Sequence, residues 1–165
     1  MWPLRLLTFA MALWCTGCAL LPGEYSHVSA SGFITDIPAS IDQVQIEAVT
    51  VDHKNSGKLN VVDTKVLSGT NATAFLNLWK TLPYDSQVTE CLPEPGYRIS
   101  FWHRGGGRVF SAEICFLCGN VRFTSVPGDA ETLCETHFDE NDARAKALRR
   151  YLARLFPSHD PSAFH

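Results

Sequence analysis

No run of about 20 apolar residues, the length a helix needs to cross a bilayer, occurs in this chain of 165 residues. The longest stretch of that kind, residues 6–14, is roughly half as long. Charge is sparse as well. Asp, Glu, Lys and Arg make up 19% of the residues, and 14 basic against 17 acidic side chains leave a formal charge of -3. Without a basic excess there is no electrostatic footprint for nucleic acid. Catalytic signatures are missing too. There is no G-x-S-x-G, and the three glycines at 105–107 sit between two strand-like runs rather than between a strand and a helix, so they serve a turn and not a phosphate. His27, His53, His103, His137, His159 and His165 are scattered along the chain, and each reads as a surface residue rather than a base. No repeat or low-complexity tract interrupts the sequence, and a hydrophobic fraction of 45% suits one core in one domain.

The amino terminus carries the most specific signal. Arg5 supplies a short positive head, residues 6–14 are apolar, and Cys15-Thr16-Gly17-Cys18 follows. An apolar run of this length suits the h-region of an export signal. A C-x-x-C metal or redox pair is the alternative reading of Cys15 and Cys18, but no neighbouring charge is available there to stabilise a thiolate. Ordinary secretory cleavage after Val28-Ser29-Ala30 is a second alternative, and it would leave a long polar gap after the apolar run. The small pair Thr16-Gly17 before Cys18 resembles the lipobox of bacterial lipoproteins, with Cys15 in the place where that family usually has Leu. The resemblance implies that Cys18 becomes the first residue of the mature chain and carries diacylglycerol, with two or three acyl chains such as palmitate forming a lasting anchor. Ala19, where Asp would favour retention at the inner membrane, leans toward the outer membrane of a Gram-negative envelope. Loss of Arg5 with residues 1–17 leaves 13 basic and 17 acidic residues, or -4. Residues 18–39 are rich in Ser, Gly and Pro and read as a flexible tether. A single domain is expected over 40–157 and a tail over 158–165.

Within that domain the hydrophobic period predicts the elements. Val44, Ile46 and Ala48 alternate with Gln43, Gln45 and Glu47, which predicts a strand, and Asn55-Ser56-Gly57 turns the chain into a second strand over 59–67. Ala72, Phe75, Leu76, Trp79 and Leu82 then recur at three and four residues behind Thr70 or Asn71 as cap, which predicts a helix ended by Pro83. Two more strands, 97–103 and 108–114, flank the glycine loop. If His103 faces Arg108, then Tyr97–Ile114, Ile99–Ala112 and Phe101–Phe110 share an apolar face. Arg98–Glu113, Ser100–Ser111 and Trp102–Val109 share the other. Residues 120–126 can add a strand. A last helix is expected over 140–156, with Asp139 as cap, Asp142 as capping-box partner, and Ala145, Leu148, Leu152 and Leu155 facing inward. Its basic residues alternate with acidic ones and read as a solvated face. The sum is an α+β fold: an antiparallel sheet of four to five strands in two hairpins, with two helices packed on one face.

Four cysteines remain in the mature domain. Cys115-x-x-Cys118 lacks the strand-to-helix setting of a thiol-redox pair and the His of a haem motif. Followed after fifteen residues by Cys134 and then His137, it has the spacing of a structural zinc site built from Cys115, Cys118, Cys134 and His137. An oxidising compartment favours disulfides instead. The hairpin register, extended past its ends, sets Cys115 opposite Gly96 and Cys118 opposite Pro93. Cys91 and Cys118 then lie on one face as diagonal neighbours and are the favoured pair, and Cys115 and Cys134 either pair or stay free. The segments CLPEPGYRISFW and ICFLCGN resemble a cysteine-bearing strand pair of small uncharacterised bacterial exported proteins. That likeness implies that Cys91, Cys115 and Cys118 act together, and carries no activity. The sequence therefore leads to an expectation of a lipid-anchored envelope protein that binds or scaffolds, with an envelope protein as partner and no cofactor. A zinc-binding or thiol-redox protein is the alternative.

Overall fold

The computed structural model describes residues 37–55, 57–83, 94–124 and 132–159, the side chains of 132–134 excepted. The export-signal segment, Cys18 and Cys91 therefore lie outside the described residues. The elements are β1 (Ile41–Asp52), β2 (Lys58–Ser68), α1 (Gly69–Lys80), β3 (Tyr97–His103), β4 (Arg108–Cys115), β5 (Asn120–Thr124), β6 (Thr132–His137) and α2 (Ala143–Leu155). All the described strands join one antiparallel sheet in the order β2-β1-β3-β4-β5-β6. The sheet thus has six strands where four to five were expected. The unpredicted strand is β6, whose Thr-Leu-Cys-Glu-Thr-His lacks a clean alternation of apolar and polar residues.

Alternation divides the sheet into two unlike faces. Val44–Phe101–Phe110, Ile46–Ile99–Ala112–Phe123 and Ala48–Tyr97–Ile114–Val121 form rungs on one face, and all of these residues are buried. Both helices lie over this face, contributing Ala72, Phe75 and Trp79 from α1 and Ala145, Leu148 and Leu152 from α2. Trp79 sits with its ring centroid 5.3 Å from Phe101 and 6.3 Å from Phe123. Phe101 stacks on Phe110 at 4.4 Å. Burial of this aromatic layer is the main stabilising term, at roughly 2–3 kcal/mol for each large side chain removed from water. The core reaches back to Ile37, which was expected in the tether, because its side chain packs in the same cluster.

The β3–β4 hairpin has the expected register for five rungs, from Tyr97–Ile114 to Phe101–Phe110. It then slips, so that Trp102 faces Arg108 rather than Val109. Gly105 and Gly106 both take positive φ, 104° and 103°, and the irregularity beside this loop absorbs the extra residue.

Two helix starts differ from the expectation. α1 begins at Gly69 behind Ser68, ahead of Thr70 and Asn71, and Ser68 makes no side-chain cap bond. α2 begins later than expected, at Ala143, and its cap is Asp142 rather than Asp139. The Asp142 carboxylate accepts from the Arg144 backbone N–H at 2.7 Å. Asp139 instead accepts from the Asn141 N–H at 2.8 Å, which shapes the turn before the helix. The Arg144 side chain and then its backbone N–H hold the Asp142 carboxyl at about 2, well below the usual carboxylate value.

Candidate functional site

Among the described residues no helix lies on the second face of the sheet, which is polar and in part deeply buried, with Ser100, Ser111 and Asn120 each 2% exposed. Glu47, Arg98, Glu113, Arg122 and Glu135 stand directly opposite one another on five neighbouring strands, and Thr64 of β2 completes the row. The signs alternate across the whole sheet. Arg98 Nε lies 2.5 Å from Glu47 Oε2, while Arg122 reaches Glu113 at 3.9 Å and Glu135 at 3.7 Å. The register placed Arg98 opposite Glu113, and that holds, but the guanidinium turns to Glu47 on its other side. Glu135 also accepts a hydrogen bond from the Asn120 side-chain amide.

Glu113 is left with the weakest hold. Burial pushes its carboxyl up, against the opposing pull of Arg122 and Arg98. A folded carboxyl that binds its proton more tightly than the unfolded one adds stability at low pH. That contribution is lost as pH rises from the ordinary carboxylate range through the folded value. Glu113→Gln is therefore expected to leave the fold intact and to flatten this part of the stability-versus-pH curve, as measured by urea unfolding between pH 4 and pH 7. An unchanged curve would show that the two arginines fully compensate for burial.

Beside the charged row, the Ser100 and Ser111 hydroxyls hydrogen-bond at 2.8 Å, both buried. One rung further, the Arg108 guanidinium lies 6.0 Å from the centre of the Trp102 ring. Among the described residues, Arg108 Nε and the Trp102 indole N–H, both buried, have no hydrogen-bond partner. Burial, and next the like charge of Arg98, lower the Arg108 pKa.

At the opposite end of the same face, Cys115, Asn120 and His137 form a rung across β4, β5 and β6. Here the cysteines and histidines can be placed. Cys115 is a buried free thiol. Cys118 is disulfide-bonded, to a cysteine whose side chain is outside the described residues. The two members of the C-x-x-C are thus not joined to each other. The hairpin register does not extend to Cys118, because β4 ends at Cys115 and residues 116–119 turn the chain into β5, with Gly119 at φ 58°; Pro93, its expected opposite, lies outside the described residues. The backbone of Cys134 pairs with Phe123, three residues from His137 along β6. Among the described residues no three His, Cys, Asp or Glu side chains group as a metal site.

His137 and His159 are buried at 8% exposure each, where the sequence suggested surface residues. His159, expected in the tail, hydrogen-bonds through Nε2 to the Gly96 carbonyl at 2.9 Å and meets the Tyr97 ring edge-on. His27 and His165 lie outside the described residues.

Two further constellations were not signalled by sequence spacing. Ser40 Oγ and His103 Nδ1 are 2.8 Å apart, but the pair is exposed and its nearest carboxylate neighbour in sequence, Asp42, is bound to Arg104 at 3.5 Å. A cavity of about 180 Å³ opens beside the end of β1, lined by Val49, Thr50, Val51, His53, Glu94, Pro95 and Gly96. His53 Nε2 lies 3.3 Å from Glu94 Oε1 at its rim. Neither arrangement combines a nucleophile, a base and an orienting acid. The feature spanning most of the described sheet is the charged row, whose members are paired with one another.

Compared with family models, curated proteins and solved structures, the chain matches none of them.

Proposed function

We propose that this chain is a lipid-anchored cell-envelope protein that uses the polar face of its sheet to bind or scaffold an envelope partner, without a cofactor. The address rests on Cys15-Thr16-Gly17-Cys18 behind a short apolar run, and binding is supported by the alternating row from Glu47 to Glu135 on a face that neither helix covers. The outer membrane is favoured by Ala19. The address is tested in a bacterial host by feeding an alkyne fatty acid and following label and membrane fraction. Cys18→Ser is expected to lose the label and to leave the membrane fraction or mislocalise. Label retained at wild-type level in Cys18→Ser would place the lipid elsewhere or remove it from the account.

The Cys118 disulfide is assigned within the same proposal. With Cys15 cut away and Cys18 lipidated, Cys91 and Cys134 are the remaining candidates, since Cys115 is free. Cys134 is three residues from the His137–Asn120 rung, about 10 Å along the strand, and Cys118 lies past Asn120 on the other side of that rung. That separation exceeds the roughly 7 Å between Cα atoms that a disulfide tolerates. Cys91 is left. The bridge would close a loop of about 28 residues and contribute about 3–4 kcal/mol on the chain-entropy account. Peptide mapping of non-reduced protein is expected to return a Cys91–Cys118 peptide. A Cys118–Cys134 peptide, or four free thiols with a stoichiometric metal ion, would displace this assignment, the latter in favour of the zinc site.

A further inference from the structure

The β2 strand is an edge of the sheet, with β1 on one side and, among the described residues, no strand on the other. Its outer backbone groups form an open ladder, a place where proteins commonly use charge, bulges or short length to prevent pairing with another chain. Here the strand runs eleven residues and is mostly exposed. Among the described residues, three of the four large apolar side chains left in solvent belong to it: Val61 at 47%, Val62 at 58% and Val66 at 57% exposure. Such a concentration on one edge calls for a partner.

We propose that β2 is the joint of a two-fold symmetric dimer, pairing antiparallel with β2 of a second copy so that Thr64 faces Thr64 across the axis. Directly opposite residues in an antiparallel pair share a face, so a two-fold joint must be centred on one residue of the strand. Centring on Asp63 or Lys65 sets a charge against itself. Centring on Val66 sets Lys65 against Leu67. Only Thr64 at the centre sets Asp63 against Lys65 twice and Val62 against Val66 twice.

That register is self-complementary in both charge and apolar surface. Asp63 and Lys65 already meet within one strand at 3.0 Å, both about half exposed. In the dimer the two copies add to a square of four alternating charges. A lone edge lysine discourages pairing, but here Asp63 of the second copy neutralises it. Thr64 stands in the rung of Glu47, so the charged row would run through the axis from one protomer into the next.

The joint is short. The register between β1 and β2 shifts between Ala48 and Val49, leaving Val62 as the extra residue of a bulge, so the regular contact covers residues 63–65 with the Val62–Val66 contacts at its margins. An interface this small lies well below the roughly 1,000 Å² of a stable complex and dissociates on dilution. A shared membrane plane would raise the effective concentration of the two copies, but the pairing itself does not depend on lipidation.

The test uses the full chain with Thr64→Cys, oxidised mildly in intact cells and in purified form at rising protein concentration, and read on non-reducing gels. Opposed Thr64 positions would have Cα atoms about 4.5–5.5 Å apart, within disulfide range. The expected result is a covalent dimer from Thr64→Cys that neither the parent chain nor Val62→Cys forms, since each Val62 would face Val66. Adding Asp63→Lys is expected to reduce the dimer roughly tenfold by opposing like charges at two places, and adding Lys65→Asp to that variant to restore it. Thermal unfolding of each variant confirms that the fold survives. Cross-linking no greater from Thr64→Cys than from Val62→Cys, or dimer yield indifferent to both charge changes, would overturn the proposal.

Discussion

Replacing Trp79 by Ala is expected to cost roughly 3–5 kcal/mol of folding stability, the largest effect of any single substitution considered for this protein. Trp79 is fully buried on the inner side of α1 and lies against Phe75 of the same helix, Phe101 of β3 and Phe123 of β5, so it joins the helix to two separate strands. Its removal loses the transfer free energy of a large aromatic side chain and leaves a hole bounded by rigid rings. The Phe101 and Phe123 rings sit on a hydrogen-bonded sheet and cannot easily collapse into the space. A domain of this size typically has 5–15 kcal/mol in total, so the variant would be marginal at growth temperature. Trp102 provides the contrast. It lies on the polar face, is half-buried, and stacks with Arg108 rather than with the aromatic layer. Trp102→Ala is expected to cost far less, about 1 kcal/mol. Urea unfolding midpoints of the two variants at constant m-value are the measurement. Equal losses would mean that the two faces of the sheet are not energetically distinct.

Gly119→Ala is expected to destabilise by about 3 kcal/mol or more. At φ 58° this residue occupies left-handed backbone, which costs an ordinary L residue about 1–2 kcal/mol. A steric conflict adds to that. A Cβ at this position would stand 2.1 Å from the Phe138 carbonyl oxygen, and Phe138 cannot retreat because its N–H donates to the Gly119 carbonyl at 2.7 Å. The turn at 116–119 and the segment after β6 are therefore held together by a contact that only glycine permits. Gly57 isolates the first term from the second. Its φ is 75°, yet a Cβ there would meet nothing within 4 Å. Gly57→Ala is expected to cost only about 1 kcal/mol. Denaturation of the two variants side by side separates backbone conformation from crowding, and similar costs at both sites would show that the backbone accommodates the Phe138 contact.

The parts of this fold that were legible in the sequence are those fixed by local periodicity. Alternation in β1, β3 and β4 tells which side chains share a face, because a strand turns each successive residue to the opposite side. The short glycine loop between β3 and β4 limits the pairing to few registers, and the alignment of Phe101 with Phe110 and Arg98 with Glu113 selects one of them. The stripes of α1 and α2 are equally plain, since three- and four-residue spacing of Phe75, Trp79, Leu148 and Leu152 fits only one element. The cap of α2 was less legible, because Asp139 and Asp142 are both competent caps and the choice depends on the turn that delivers the chain from β6.

Much of the polar face was not legible. Glu47 and Arg98 are 51 residues apart, and nothing in either segment says that β1 lies beside β3 as well as β2. Arg122 and Glu135 join the row only because β5 and β6 extend the sheet, and β6 carries too little alternation to announce itself. Cys118 was misplaced for a related reason. A strand register can be extrapolated only while the strand continues, and Gly119 reverses the chain four residues after Cys115.

The sequence by itself determined the amphipathic helices, the hairpin register over five rungs and the sorting of side chains into apolar and polar faces. All of these follow from composition and spacing within a few turns or strands. Only the tertiary structure decided the strand order, the alternating row from Glu47 to Glu135, the burial of His137 and His159, the free state of Cys115 and the exposed edge at β2. These depend on which distant segments become neighbours, and that choice is made by burying one shared aromatic layer rather than by any local preference.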